Sequence, residues 1–506
     1  GQETEVLNDD IFTKRQKLDD FTKKLIVAET GTEDDLLITS SLQNLASDNR
    51  RQVPTIVVVG AKGAGKTYTF IQLVRLKTWN AFIHKAGVLN SRVAVQIINI
   101  PKSDRHKTNE LSTGSPRNAN FDAVIFPVLT SRNLGMQAEQ LIKEARQEAL
   151  SNLNSGVAIS SIKPYDATEI RDVILDRLAD NLHVGQWRQI WLNMIAWSIG
   201  FRINDDEAGI GLAKHLQEIG KRVVCVFDGL EDLFPEFSDA SSQEQVALRA
   251  LLQEVPDWLN QQPGKPVGIV VFVRQDMVSA AIQQNVSQFL ARYAAYDLKW
   301  NREEVLRLVA WTAGKAKVLS EDFASADLQK LEEQDIIGKL YPLWGKKLGR
   351  ENSREGRAAE WVIAALSDYK GQIQARDLVR LLNLASHNSL SDKQWTDRLL
   401  TPTAVRDSLR GCSEEKIKEI EAENTPLRGI FRKMREHSPK SSIPFRQEEM
   451  ELTGDDIKVL EDNGVLLRDG DTYYMPEIFR IGLGFDLKSG ARPRVLSMAN
   501  RATRRK

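Results

Sequence analysis

Hydrophobic positions fall into two regimes along the chain. Between residues 53 and 300, short apolar runs alternate with stretches of helical period; beyond 302 the helical period dominates. Strands are expected at 54–59, 92–99, 122–128, 222–227, 267–273 and 295–298. Helices are expected between them, at 136–150, 168–181, 187–199 and 241–260. Val223-Val224-Cys225-Val226-Phe227 and Val267 to Val273 are almost unbroken in apolar character. That suits central strands buried on both faces, and the alternation predicts an α/β domain built on a parallel sheet. Trp187, Trp191 and Met194 recur at helical spacing and read as core. The polar segment 101–121 reads as a disordered insertion or a surface loop.

The helical region from Arg302 to about Leu409 reads as a lid. After it come two helices (416–423 and 427–437), a short helix 455–463 and a hairpin about Asp469-Gly470. This order suggests a winged-helix-like module. The expected divisions are an N-terminal helical leader at 1–52, an ATPase α/β domain at 53–300 with an insertion near 101–200, a lid at 301–410, the winged-helix-like module at 411–485 and a basic tail at 486–506. The leader is either packed on or between nucleotide domains or a frayed terminal helix.

Composition narrows the setting. Of 506 residues, 69 are Lys or Arg and 69 are Asp or Glu, so net charge argues for neither nucleic acid nor membrane. Cys225 and Cys412 lie far apart, which suits a reduced compartment, and the six histidines lack zinc-ligand spacing. No apolar stretch approaches a membrane span and no secretory leader opens the chain, so a cytoplasmic protein with no membrane partner is expected.

The most specific chemistry lies in Gly60-Ala61-Lys62-Gly63-Ala64-Gly65-Lys66-Thr67, which fits G-x-x-x-x-G-K-[ST] directly after an apolar strand. Its glycines let backbone N–H groups and a helix N-terminus surround a polyphosphate. Lys66 is expected at the β/γ-phosphates and Thr67 on Mg2+, with ATP as the ligand. Asp228, leaving the 222–227 strand, is the expected second Mg2+-site residue, and Glu231 or Asp232 would orient or deprotonate water. Gly229 stands where many ATPases carry a catalytic Glu, so turnover is less secured than binding. Arg274 ends the next strand and reads either as a γ-phosphate contact or as a salt-bridge partner of Asp276 or Glu231. Arg292 reads as an arginine finger toward a neighbouring subunit or as an ordinary exposed arginine. Arg376 and Arg380, one turn apart, read as lid sensors or exposed-face residues.

Together these residues resemble the P-loop ATPases that include STAND signalling ATPases, KAP-type ATPases and origin-recognition-like AAA+ proteins (the ASCE P-loop NTPases). Gly60–Thr67 is similar to their Walker A motif, Val223–Asp232 to the hydrophobic-D-G-L-[DE]-[DE] Walker B form, and Ile269–Asp276 to their strand-then-Arg motif. The resemblance departs in its long Lys66–Asp228 spacing, its lack of a lid Gly-x-Pro and its lack of KAP membrane helices. It implies an ATP-driven switch that oligomerises or changes conformation and controls a separate effector, with a prokaryotic antiviral system as a possible setting. The alternatives are a DNA-binding AAA+-type loader and a nucleotide-binding scaffold without turnover. The tail from Gly490 has no acid and suits a phosphate backbone, an acidic surface or a solvated end. Acids at 455, 456, 461 and 462 against Lys458 argue against placing that helix in DNA.

Overall fold

A computed structural model describes residues 10–26, 36–88, 121–132, 134–154, 163–234, 242–319, 325–437 and 442–505. The chain forms two compact units, one of Ala28–Leu298 and one combining Gly1–Val27 with Lys299–Lys506. The expected strand 92–99 and most of the 101–121 segment lie outside the described residues.

The first unit is organised by four parallel strands: β1 (Thr55–Gly60), β2 (Val124–Leu129), β3 (Val223–Phe227) and β4 (Val267–Arg274). Their order across the sheet is β1-β4-β3-β2. All five residues of β3 are buried, as are seven of the eight in β4, because helices cover both faces. Phe70 of the helix Lys66–Leu76 packs edge-on against Phe272 of β4. Trp191 of the helix Val184–Ile199 packs against Phe227 of β3. Phe227 pairs in register with Val271, so neighbouring Phe272 points to the opposite face and the two helices cover opposite sides. The core reading of the tryptophans agrees with their full burial. Each indole also finds an acceptor: Trp187 Nε1 donates to Gln243 Oε1 (3.0 Å) and Trp191 Nε1 to the Ala247 carbonyl (2.8 Å). The expected helix 241–260 forms with a π-helical segment at Ala250–Glu254, one turn beyond that carbonyl, where an outside donor competes with the helical ladder.

Two expectations in this unit change. Residues 295–298 form no strand: Ala294–Tyr296 is a 3-10 turn, and Leu298 alone bridges to Gly60. The long interval between Lys66 and Asp228 is also not one insertion, because it contains β2, which pairs with β3.

The second unit is largely helical. The expected division at 410 falls inside a continuous 22-residue helix, Pro402–Glu423, which Thr401 caps and whose N1 position is proline. After it come the helix Thr425–His437, a short strand at Ser442–Ile443, a 3-10 turn, the helix Gly454–Asp462 and the hairpin Leu467–Asp469/Thr472–Tyr474. Phe445 bridges antiparallel to Tyr473 and so ties the short strand's end to the hairpin.

The leader does not form one body. The helix Ser40–Asp48 belongs to the sheet unit, whereas Ile11–Ile26 packs on Ala375–Ser389 in the helical unit. Arg15 anchors it by donating to the carbonyls of Leu399 (2.6 Å), Asp392 (2.8 Å), Trp395 (3.1 Å) and Arg398 (3.2 Å). The tail is not a solvated end. Ala491–Arg504 is a helix that buries Val495, Met498 and Ala499, the last two against Ala364 and Tyr369.

Candidate phosphate-binding site

The site forms where β1, β4 and β3 end. After β1 the chain turns through Gly63 and Gly65, both at positive φ, and enters the helix at Lys66. At φ +91° Gly65 adopts a conformation that a side chain would strain, and it aims the first N–H groups of that helix into the loop. The crest, Ala61 and Lys62, is exposed. Lys66 is buried beneath it, and its ammonium donates to the carbonyls of Gly60 (3.2 Å) and Ala61 (3.0 Å). Burial pushes its pKa down, opposed by the nearby charges of Glu231 and Asp228.

Asp228 leaves β3 only 1% exposed. Its Oδ2 accepts from Thr67 Oγ1 at 2.8 Å, whereas buried Oδ1 has no hydrogen-bond partner. Burial, reinforced by Glu231, raises this carboxyl to a pKa of about 7 despite the Thr67 hydrogen bond and Lys66. A second orphan lies three residues on: Oε2 of Glu231 is buried without a partner. Buried carboxylate oxygens are costly unless satisfied, so two of them beside an ammonium mark a place prepared for a cation or a proton. The Thr67 hydroxyl and Asp228 supply hard oxygen donors that fit Mg2+, an ion that takes few protein ligands and keeps its water. Among the described residues no group of three or more His, Cys, Asp or Glu could cage a metal.

Gly229 is fixed by two constraints. Its φ is +79°, and a Cβ there would lie 2.7 Å from backbone atoms of Ser131. A side chain there would be strained and crowded, so the next carboxylate after Asp228 comes from beyond this turn, at Glu231. Asp232 is occupied elsewhere: its Oδ2 accepts from Ser131 Oγ (2.7 Å) and the Arg132 N–H (2.8 Å). Arg171 donates to the Thr130 carbonyl of the same loop at 2.7 Å. Ser131, Arg132 and Arg171 are therefore supports that local sequence patterns did not flag. They act through partners 40 to 100 residues away, and only the Asp166/Glu169 capping box opening the Arg171 helix was a local cue.

The arginines divide. Arg274 stands in register with Gly60 at the end of β4, and it forms the alternative salt bridge, Nε to Asp276 Oδ1 at 3.0 Å. Burial alone would lower its pKa, but Asp276 and Glu231 outweigh that and raise it. Arg292 pairs with Asp257 at 3.2 Å and lies over the Tyr293 ring. Arg376 and Arg380, in the helical unit, share Glu419 of the helix Pro402–Glu423 (3.4 and 3.0 Å). The structure thus gathers Lys66, Thr67, Asp228, Glu231 and Arg274. Arg292 has its own partners, and Arg376 and Arg380 are bound within their own unit.

A glycine-rich loop joining a strand to a helix at the end of a parallel α/β sheet is the class of site that these residues define. No protein-family model and no curated protein matches the sequence. Among solved structures, the Aeropyrum pernix ORC2 protein, determined as ADPNP-ADP complexes, is similar over 80% of this chain and 95% of its own, at 11% identity and a TM-score of 0.30. That TM-score defines no shared fold, so the reading of the site rests on its own geometry. Among the described residues no helix is long and apolar enough to cross a membrane.

Proposed function

We propose that the chain is an ATP-binding regulatory switch that hydrolyses ATP. The observation that carries this reading is the 2.8 Å hydrogen bond between Thr67 and Asp228 beside the buried Lys66. In this reading the loop N–H groups and Lys66 hold the β- and γ-phosphates, with the lysine exchanging loop carbonyls for phosphate oxygens. Thr67 and Asp228 would hold Mg2+, which would supply charge neutralisation on the phosphates. Glu231 takes up the orienting of the attacking water, and Asp232 keeps the Thr130–Arg132 loop in place beside it. Arg274 leaves Asp276 for the γ-phosphate.

The sequence resemblance supports an output through a separate effector chain, by a nucleotide-dependent change of conformation or assembly. A setting in prokaryotic antiviral defence has the sequence resemblance as its sole support. The order helix, strand, turn, helix, hairpin over 425–474 supports a winged-helix-like module. The acids on its Gly454–Asp462 helix favour a protein contact over a DNA groove.

Equilibrium binding of a fluorescent ATP analogue and phosphate release test the proposal together. Lys66→Ala is expected to weaken binding by at least about a hundredfold, the loss of a charged hydrogen-bonding group in a desolvated site. Glu231→Gln is expected to bind ATP with turnover reduced by about a hundredfold or more. Equal binding by wild type and Lys66→Ala would remove the basis of the proposal. Binding without any phosphate release would leave the non-hydrolysing scaffold.

A further inference from the structure

A groove of about 430 Å³ lies in the helical unit between the start of the helix Ala358–Leu366 and the C-terminal helix Ala491–Arg504. Its lining includes Arg357, Trp361, Leu496, Arg501 and Arg504. The single acid in the lining, Glu360, is paired with Arg504 at 3.4 Å, so the groove is net positive. Its two helices are packed together, with Met498 and Ala499 against Ala364 and Tyr369 and the lining residue Leu496 against that cluster. Arg501, Arg504 and Arg505 are exposed, and no acid follows Asp486 in the chain. On the other side, the loop that delivers Arg357 carries exposed Lys346, Arg350 and Arg354. One of its acids, Glu355, is drawn off by Arg406 at 2.8 Å.

We propose that this groove binds a segment of single-stranded nucleic acid. A half-buried indole between guanidinium groups matches a strand's two requirements, a stacking surface for a base and fixed donors for phosphates on either side. Exposed cations also precede Arg357 and follow Arg504 in the sequence, which suits a repeating charge better than a single small anion. An acidic peptide would use the arginines but give the indole nothing to stack on it. The inference does not depend on nucleotide binding at Lys66.

The test is anisotropy of a fluorescein-labelled oligothymidylate of about ten nucleotides with the full chain, without ATP, over a salt series. Three phosphate contacts predict a slope of log affinity against log salt of about −2, at about −0.7 per contact. Arg357→Gln combined with Arg501→Gln should flatten the slope by about 1.4. Trp361→Leu should weaken binding about tenfold with the slope kept, and Trp361→Phe should retain binding. Thermal unfolding of each variant separates lost binding from lost folding, and Lys66→Ala should bind the strand as wild type does. Absent binding, binding unchanged in the arginine and tryptophan variants, or equal competition by polyglutamate would each overturn the proposal.

Discussion

Two buried charged clusters, one in each unit, are handled in opposite ways. In the helical unit Arg480 is clamped by both oxygens of Glu477 (2.8 and 2.7 Å) and by the Phe485 carbonyl (2.6 Å), while Arg15 has four carbonyls. At the end of the sheet, Asp228 and Glu231 each keep a buried oxygen without a partner. Folding alone would favour the first arrangement everywhere, since an unsatisfied buried carboxylate costs stability. The clamped Arg480 and Arg15 hold the helical unit together, whereas the open oxygens of Asp228 and Glu231 are what the proposed ligand would satisfy.

Substitutions break or sharpen this contrast. The largest effect is expected from Arg15→Ala, which strands four carbonyls and empties a buried site. It should cost about 4 kcal/mol in denaturant unfolding, and a value under about 1 kcal/mol would show that the anchor is ornamental. Next is the pH dependence at Asp228. Its folded pKa of about 7 lies above its ordinary 3.8, so the native state binds the extra proton and this group lowers stability as pH rises from about 4 to 7. Asp228→Asn removes that penalty. Relative to wild type, the variant should gain up to about 4 kcal/mol between those pH values. A pH-independent difference would contradict the burial argument. Because Mg2+ requires the carboxylate, Mg·ATP affinity of the wild type should rise as pH climbs toward and through 7.

Gly229→Ala should cost about 2–3 kcal/mol, from the steric overlap with Ser131 and the positive φ; tolerance of alanine would return the missing glutamate to chemistry rather than sterics. Smaller still is the paired comparison of carboxylates. Glu477→Gln should destabilise by about 2 kcal/mol, whereas Glu231→Gln should be neutral or slightly stabilising. Equal losses at both positions would erase the distinction drawn above. Arg292→Ala closes the series. Its ion pair with Asp257 is about half exposed on both sides, so the expected change is below about 0.5 kcal/mol, with ATP affinity of the dilute chain unchanged.

Legibility in the sequence followed the range of the interactions. β1, β3 and β4, the phosphate loop and Asp228 at a strand's end are local patterns, and they stood out without neighbours. Residues 295–298 did not follow their pattern: Ala294–Tyr296 winds into a 3-10 turn, and Leu298 makes a single bridge to the end of β1. The C-terminal helix carried its apolar spacing at Val495, Met498 and Ala499, yet its arginines hid it. Asp232 looked like a catalytic acid until its partners, Ser131 and Arg132, came within reach across 100 residues. The support of Glu231 by exclusion at Gly229 was equally hidden, since the obstructing backbone belongs to another strand's loop.

The Arg15 anchor has a consequence in time. Its carbonyl acceptors lie as far as 384 residues downstream. At about 5–20 residues per second of synthesis, the helix Ile11–Ile26 emerges roughly 20–80 s before they do. This helix is thus seated well after it is made, and through that interval its arginine and apolar face must be kept from other chains.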